Sequence, residues 1–236
     1  MGRAKEIQVR VIPAQVARPF VREHHYSGKV VPNSKLHFGV FLGGVLHGVM
    51  SFGPSMDKSK VIGLVAGTKW NEFMELNRMA FDDYLPKNSE SRAISIAMKL
   101  IRKNAPHIKW IISFADGTQC GDGTIYRASG FVLTGIKPNK TILEFPNGQR
   151  YADLVLHALF DCESVKRLCA DLGVEHRYRS IAEWKKLGAK CVEGNMLRYI
   201  YFLDKSCKDK LTVPILPFDE IKKRGASMYK GEFRKD

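Results

Sequence analysis

The sequence predicts an α/β fold in which a mixed, mostly antiparallel central sheet is flanked by helices. Three observations carry that reading. Short apolar or alternating runs recur at 6–12, 37–53, 73–81, 108–116, 131–135 and 196–203. One long stretch, 89–104, has the period of an amphipathic helix, and shorter helical pieces fall between the strand-like runs. With 236 residues, 44% hydrophobic and 26% charged, the chain can bury a single core and does not have a disordered composition.

Taken in order, EIQVRVI at 6–12 alternates apolar and polar residues, as a half-buried strand does. AQVARPFVREHH at 14–25 reads as a helix that must place Pro19 in its first turns or kink there. HFGVFLGGVLHGVMSFG at 37–53 reads as two strands joined at Gly43-Gly44, a dipeptide suited to a tight hairpin. FMELNRMAF at 73–81 is a further strand, with or without a bulge. Pro86, a capping residue at Asn88 or Ser89 and the acid Glu90 then open a helix. Its apolar face is read as Ala93, Ile96, Ala97, Leu100 and Ile101, and it ends near Asn104. IKWIISFAD at 108–116 is a buried strand followed by the glycine-punctuated loop 117–123. A short helix around TIYRAS leads to a strand at 131–135, and a helix near 162–171 and the strand MLRYIYFL at 196–203 follow.

Charge narrows the function classes. The net charge is +14; residues 1–136 contribute +8 and residues 137–236 contribute +6, so the excess is not a tail. A folded body of this kind attracts polyanions: nucleic acid first, phosphorylated cofactors second, anionic membranes third. The alternative is a surface that is merely soluble and basic. Cys120, Cys162, Cys169, Cys191 and Cys207 are odd in number and contain no CxxC pair, which indicates neither a zinc site nor a disulfide framework. The opening residues mix charges, unlike a secretory signal, and the most apolar stretch, 36–53, is broken by His37, His47 and glycines. The expectation is a soluble cytoplasmic protein without a membrane partner.

Four places could carry chemistry. The start of the helix at residue 89 offers free N–H groups and a positive dipole end, with Lys87 and Arg92 adding formal charge; an ordinary capped helix is the alternative. Ser113 and Asp116 lie at the carboxyl end of a strand, where α/β sheets bind ligands, although an Asp before Gly also forms turns. Tyr126, in the run Tyr126–Phe131, could supply a proton or simply pack. His24, His25 and Tyr26 end a helix, where they could act as acid–base groups or close the last turn.

Taken together, His24-His25-Tyr26-Ser27-Gly28, Leu76-Asn77-Arg78, the run LPKNSESR from Leu85 to Arg92, and Gly123-Thr124-Ile125-Tyr126 resemble the Mom family of phage DNA adenine-modification proteins. Order and spacing match from near residue 7 to about residue 135, and RYIYFLDKS and LPFDEIKKRGASMYKG look like the end of such proteins. One departure stands out: Gly121-Asp122 occupies the place where a Gly-His pair is expected, so no role for that histidine carries over. The element order and the Y-x-x-x-G-F pattern also resemble GNAT acyltransferases, although LPKNSESR replaces their glycine-rich loop.

The resemblance implies a single GNAT-like domain over 1–236, with a core of about 5–135 and a C-terminal extension, 136–236, packed on it. It implies conversion of adenine in DNA to its N6-carbamoylmethyl form, which hides phage DNA from host restriction. It further implies catalytic roles for His25, Tyr26, Asp116 and Tyr126, and donor binding by Lys87, Asn88, Ser89, Ser91 and Arg92. Arg78 and Ser113 would hold substrate. The donor would be acyl-CoA, acetyl-CoA or a related molecule; iron has been suggested for the family, and a homodimer is left open. The runner-up is an acyl-CoA-dependent N-acetyltransferase acting on a protein or small amine, and a non-catalytic DNA-binding protein is third.

Overall fold

In the computed structural model, residues 3–118, 121–157, 163–229 and 232–233 are described. Gln119 and Cys120 of the glycine-punctuated loop, and Cys162 at the expected start of a later helix, lie outside them.

A 3₁₀ turn at Arg3–Glu6 leads into β1 (Gln8–Val11) and α1 (Ala14–His24), which continues through Pro19. β2 (Leu36–Leu42) and β3 (Val45–Gly53) form the expected hairpin. Gly43 and Gly44 have φ of 59° and 85°, the two left-handed positions that a tight two-residue turn requires. A short α2 (Lys58–Val61) and a 3₁₀ turn then bring the chain to β4 (Phe73–Phe81). α3 (Ser89–Asn104) follows, with bounds as read from the sequence. Its cap differs: Asn88 sits in the left-handed region (φ 71°) and makes no side-chain cap bond, while the Ser89 hydroxyl donates back to the Pro86 carbonyl at 2.6 Å.

β5 (Trp110–Asp116), α4 (Thr124–Ala128) and β6 (Val132–Pro138) complete the first half. Then come β7 (Ile142–Glu144), β8 (Arg150–Ala152), α5 (Asp153–Leu156), α6 (Glu163–Asp171), α7 (Ile181–Lys186) and β9 (Lys190–Cys191). β10 (Asn195–Phe202), a 3₁₀ turn, α8 (Asp219–Lys223), and the pair β11 (Met228–Tyr229) and β12 (Glu232–Phe233) end the described chain. None of the helices is long and apolar enough to cross a membrane, among the described residues.

Seven strands form one mixed sheet in the order β1-β2-β3-β4-β5-β10-β6. Every neighbouring pair is antiparallel except β4 and β5. β10 enters between β5 and β6, so residues 195–202 belong to the main sheet. α3 covers one face: Ala93, Ile94, Ala97, Met98 and Ile101 pack with Met50, Phe52, Leu76, Ile111, Leu197 and Tyr199. The buried stripe is rotated from the expected one. Ile94 and Met98 lie in the core, whereas Ile96 and Leu100 are only half-buried at its margin.

Strand side chains alternate between faces, and the complementary set meets two separate covers. Val49 and Ala80 pack under α1 with Ala17 and Val21. Phe73, Trp110, Ile112 and Ile200 pack under Val61, Leu64 and Val65, with the Phe73 and Trp110 rings stacked 4.4 Å apart.

Between β6 and β10, residues 139–194 build a second small sheet, β8-β7-β9, with its own core around Leu143, Phe145, Leu168 and Trp184. Ser180 and Glu183 form a reciprocal capping box at the start of α7. This stretch carries nine basic and eight acidic side chains, so nearly all of the positive excess belongs to the rest of the chain.

Candidate functional site

The parallel pair β4–β5 is joined only from Phe73↔Trp110 to Glu75↔Ile112. Beyond Glu75 the strands part. β4 shifts register against β3 between Ser51 and Phe52, and its second half, Arg78–Phe81, stays with β3. β5 stays with β10 along its whole length. The gap is a cavity of about 850 Å³ lined by residues from both strands and from the two loops beside them.

Three of the quoted sequence segments meet there. His24, His25 and Tyr26 line it from the end of α1, Leu76, Asn77 and Arg78 from β4, and Gly123, Thr124, Ile125 and Tyr126 from α4. Asp116 lines it from the end of β5. The structure thus brings together His25, Tyr26, Arg78, Asp116 and Tyr126.

Ser113 is elsewhere: it is fully buried, its hydroxyl directed to the Leu76 carbonyl at 3.4 Å, outside the cavity lining. Lys87, Asn88, Ser89, Ser91 and Arg92 are also absent from the lining, although Glu90 between them is part of it. Lys87, Asn88 and Arg92 are exposed, and the Ser91 hydroxyl donates to the Asn88 carbonyl at 3.2 Å. Ser89 is fully buried, and the five residues stand together at the start of α3, outside the lining.

His25 is buried, and its Nδ1 accepts from the backbone N–H of Ser27 at 3.1 Å, with the Ser27 hydroxyl 2.8 Å away. A ring nitrogen that accepts cannot carry the proton, so this network assigns the proton of the neutral ring to Nε2. Burial, with the nearby Arg78 charge, lowers its pKa to about 3. The neutral ring, with its N–H at Nε2, is therefore the native form at neutral pH. Because the folded pKa lies below the ordinary value of 6.5, this contribution to stability is complete above about pH 6.5 and is lost as pH falls toward 3. His25→Asn should accordingly show a smaller fall in urea midpoint between about pH 7 and pH 4 than the native protein. Equal falls would show that the ring does not resist protonation.

Asp116 Oδ1 accepts from the Thr118 backbone N–H at 3.0 Å, from the Thr118 hydroxyl, and from Asn139 Nδ2 at 3.0 Å. The carboxylate ties the start of the glycine loop to the residue that follows β6. Arg78 Nε donates to the Lys29 carbonyl at 2.9 Å and Nη1 to the Asn77 carbonyl at 2.7 Å, which fixes a half-buried cation beside the cavity. Tyr26 is more than half exposed and lies with its ring centroid 4.2 Å from that of His25.

Tyr126 is buried, its ring set between Tyr199 and Phe131 at 5.2 and 5.3 Å. Gly123 starts its helix with φ 79°, and a Cβ there would stand 2.5 Å from the Tyr199 ring. Tyr199 in turn donates its hydroxyl to the Asp122 carbonyl. The Asp122 side chain accepts from the Thr124 hydroxyl at 2.9 Å and from the Ser227 hydroxyl at 3.3 Å, so the C-terminal segment reaches the cavity wall.

Sequence reasoning gave no site role to Glu75, Glu90, Phe114, Asp122 and Met196, which also line the cavity. Glu75 is the most telling. Burial raises its pKa, while hydrogen bonds from the Ser55 and Asn77 side chains, the Arg78 charge and the Met56 backbone N–H act against the shift. In FMELNRMAF it reads as an ordinary outward strand residue, and only the splayed strands make it a wall residue. Among the described residues, no group of three or more His, Cys, Asp or Glu is placed to hold a metal ion, and no residue set is assigned to iron.

Comparison with known proteins follows the same lines. Residues 6–220 match the Mom protein family. The chain is 37% identical over 213 residues to the methylcarbamoylase mom of Escherichia phage Mu, covering 90% of this chain and 82% of that protein. Among solved structures, similarity extends to the spermidine/spermine N-acetyltransferase SpeG from Vibrio cholerae in complex with manganese ions (TM-score 0.47, 10% identity, 88% of this chain and 99% of that one). It extends also to a Bacillus subtilis acetyltransferase in complex with CoA (TM-score 0.42, 12% identity, 84% and 97%).

Proposed function

Because the chain belongs to the Mom protein family, we propose that it is a transferase that converts adenine in DNA to N6-carbamoylmethyladenine and so protects phage DNA from restriction. The observation that carries this reading is the convergence of the family's segments, far apart in sequence, on one cavity between β4 and β5.

The cavity's size is that of a small-molecule site, with room for an extruded base and a small group beside it. Adenine N6 is a weak nucleophile and is engaged in pairing within a duplex, so the base must leave the stack to react. The wall offers a fixed cation at Arg78, the His25 N–H, the Glu75 and Asp116 carboxylates and an exposed ring at Tyr26. In this reading a carboxylate accepts from N6–H, His25 donates to a ring nitrogen, and Tyr26 stacks on the base at the mouth. The Tyr126 hydroxyl holds a proton at the wall for the leaving atom. The positive excess on the sheet and its helices draws DNA by its phosphates, which makes binding salt-dependent.

The start of α3 fits an anionic donor of the acyl-CoA type at the rim. No backbone carbonyl among the described residues accepts from the amides of Glu90 or Ser91, and the exposed Lys87 and Arg92 flank them. These groups would hold phosphates, while the Glu90 carboxylate would keep them out of the cavity itself. Acyl transfer from a thioester would give N6-acyladenine, so the N6–CH₂ bond of the product requires a donor whose CH₂ carbon carries the leaving group, and the rim is assigned only to the donor's anionic part.

The reading is tested by mass spectrometry of nucleosides from cells expressing the chain. Carbamoylmethylated adenine is expected, together with resistance of that DNA to restriction digestion. Unmodified DNA accompanied by acetylated protein would transfer the site to the N-acetyltransferase alternative.

A further inference from the structure

Two groups of opposite charge, Glu75 and Arg78, line the cavity together, both half-buried. Three residues apart on a regular strand, they would point to opposite faces. β4 is not regular there: Leu76 pairs with Phe52 and Arg78 with Ser51, so Asn77 is an extra residue. Packing on either side of it shows the change of phase. Leu76 and Met79 pack with the α3 core, whereas Phe73 and Ala80 pack on the opposite face. Glu75, two residues after Phe73, and Arg78, two before Ala80, therefore share that opposite face.

Each group is held in place and keeps some hydrogen-bonding capacity. The Glu75 carboxylate accepts from the side chains of Ser55 and Asn77 and from the Met56 backbone N–H, which leaves about one acceptor position. Asn77 is itself fixed, its Oδ1 accepting from the Ser34 hydroxyl at 3.0 Å. Arg78 spends Nε on the Lys29 carbonyl and Nη1 on the Asn77 carbonyl, and no acceptor among the described residues takes Nη2. Each lies in the field of the other's charge, yet among the described residues they form no ion pair. An acceptor and a cationic donor thus stand unspent on one wall.

That pair is the complement of a primary amide, which presents N–H and C=O from a single carbon. A carboxylate in the same place would set its negative charge against Glu75. An acetyl methyl would leave the Glu75 acceptor without a partner. We propose that Glu75 and Arg78 form the receptor for the terminal carbamoyl group, Glu75 accepting from its NH₂ and Arg78 Nη2 donating to its oxygen. The proposal rests on the adenine-modification reading and deepens it, since it names what selects a carbamoylmethyl group over a carboxymethyl or acetyl one. It also divides the wall's two carboxylates: Glu75 holds the transferred group, and Asp116 is left to face N6–H.

The test uses single-stranded oligonucleotides of one sequence that carry adenine, N6-carbamoylmethyladenine or N6-carboxymethyladenine at one position. Kd is measured by fluorescence anisotropy for the native protein, Glu75→Gln and Arg78→Met. The native protein should bind the carbamoylmethyl strand about tenfold or more tightly than the carboxymethyl strand. Its net charge of +14 would by itself favour the more anionic strand, so this order cannot come from bulk attraction. Glu75→Gln keeps the shape and removes the negative charge, and the two Kd values should then agree within about twofold. Arg78→Met should bring the carbamoylmethyl strand down to the affinity of the unmodified one. Equal Kd values for the two modified strands with the native protein would overturn the receptor, whether or not the variants fold. A Glu75→Gln protein that melts like the native one and keeps the native preference would overturn it too. The function is read separately, as carbamoylmethylated adenine in DNA from cells expressing the native chain. Its presence alongside equal Kd values removes the receptor alone, and its absence removes the function and the receptor with it.

Discussion

Replacing Tyr126 by phenylalanine is expected to slow DNA modification by a factor on the order of 100 or more while leaving the protein folded. The substitution removes one hydroxyl. The buried ring stays between Tyr199 and Phe131, so the packing that fixes α4 is unchanged. Loss of one hydrogen bond at that hydroxyl costs about 0.5–1.5 kcal/mol of stability. If the hydroxyl holds the proton for the leaving atom, the loss belongs to the transition state, and affinity for DNA and donor should remain near native. Modification assays should therefore show a reduced kcat with little change in KM. A variant that modifies and protects DNA as well as the native protein would remove Tyr126 from the chemistry and leave it as packing.

Gly123→Ala should be the most damaging single-methyl change near the site. Two costs add. The backbone at φ 79° lies in the left-handed region, which an alanine occupies at roughly 1–2 kcal/mol. The new Cβ would also stand 2.5 Å from the ring of Tyr199, which is fully buried and tethered by its hydroxyl to the Asp122 carbonyl. Relief requires moving α4 or β10, and overpacking of this kind costs about 1–3 kcal/mol. A loss of about 2–5 kcal/mol in urea unfolding is expected, with a fall in modification because Tyr126 moves with its helix. Gly148→Ala is the control. Its φ of 77° carries the same backbone cost, but no heavy atom lies within 4 Å of the added methyl. Equal losses in the two variants would show that the Tyr199 contact adds nothing.

The parts of the fold that can be read in the sequence are those with a local signal. The glycine pair of the β2–β3 hairpin, the bounds of β4 and α3 and the strand at β10 all follow from turn residues or from strong periodicity. α2 carries no such signal. α7 does have one, since Ser180 and Glu183 stand at capping-box spacing before an apolar stretch. The place of β10 in the sheet could not be read, because strand order depends on contacts between distant segments.

The site divides in the same way. His25, Tyr26, Arg78 and Tyr126 were singled out through motifs and Asp116 by its strand end, and all line the cavity. Ser113 was placed by the same strand end as Asp116, and the alternation of β5 turns it into the core instead. Glu75 has no motif. It becomes a wall residue only because β4 and β5 separate beyond it, a geometric event without a local sequence signature.

The entry of β10 between β5 and β6 has a consequence for how the chain acquires its site. Met196 pairs with Asp116 across about 80 residues of intervening chain, so this contact carries a large loop-closure cost and forms late. Until β10 arrives, β5 and β6 are unpaired edges, and Tyr199 is not there to hold the Asp122–Gly123 turn. During synthesis most of the residues that line the cavity are therefore made long before the strand that aligns them. A nascent chain that has not reached residue 202 carries the family's motifs without a finished site, and the enzyme gains activity only with its last quarter.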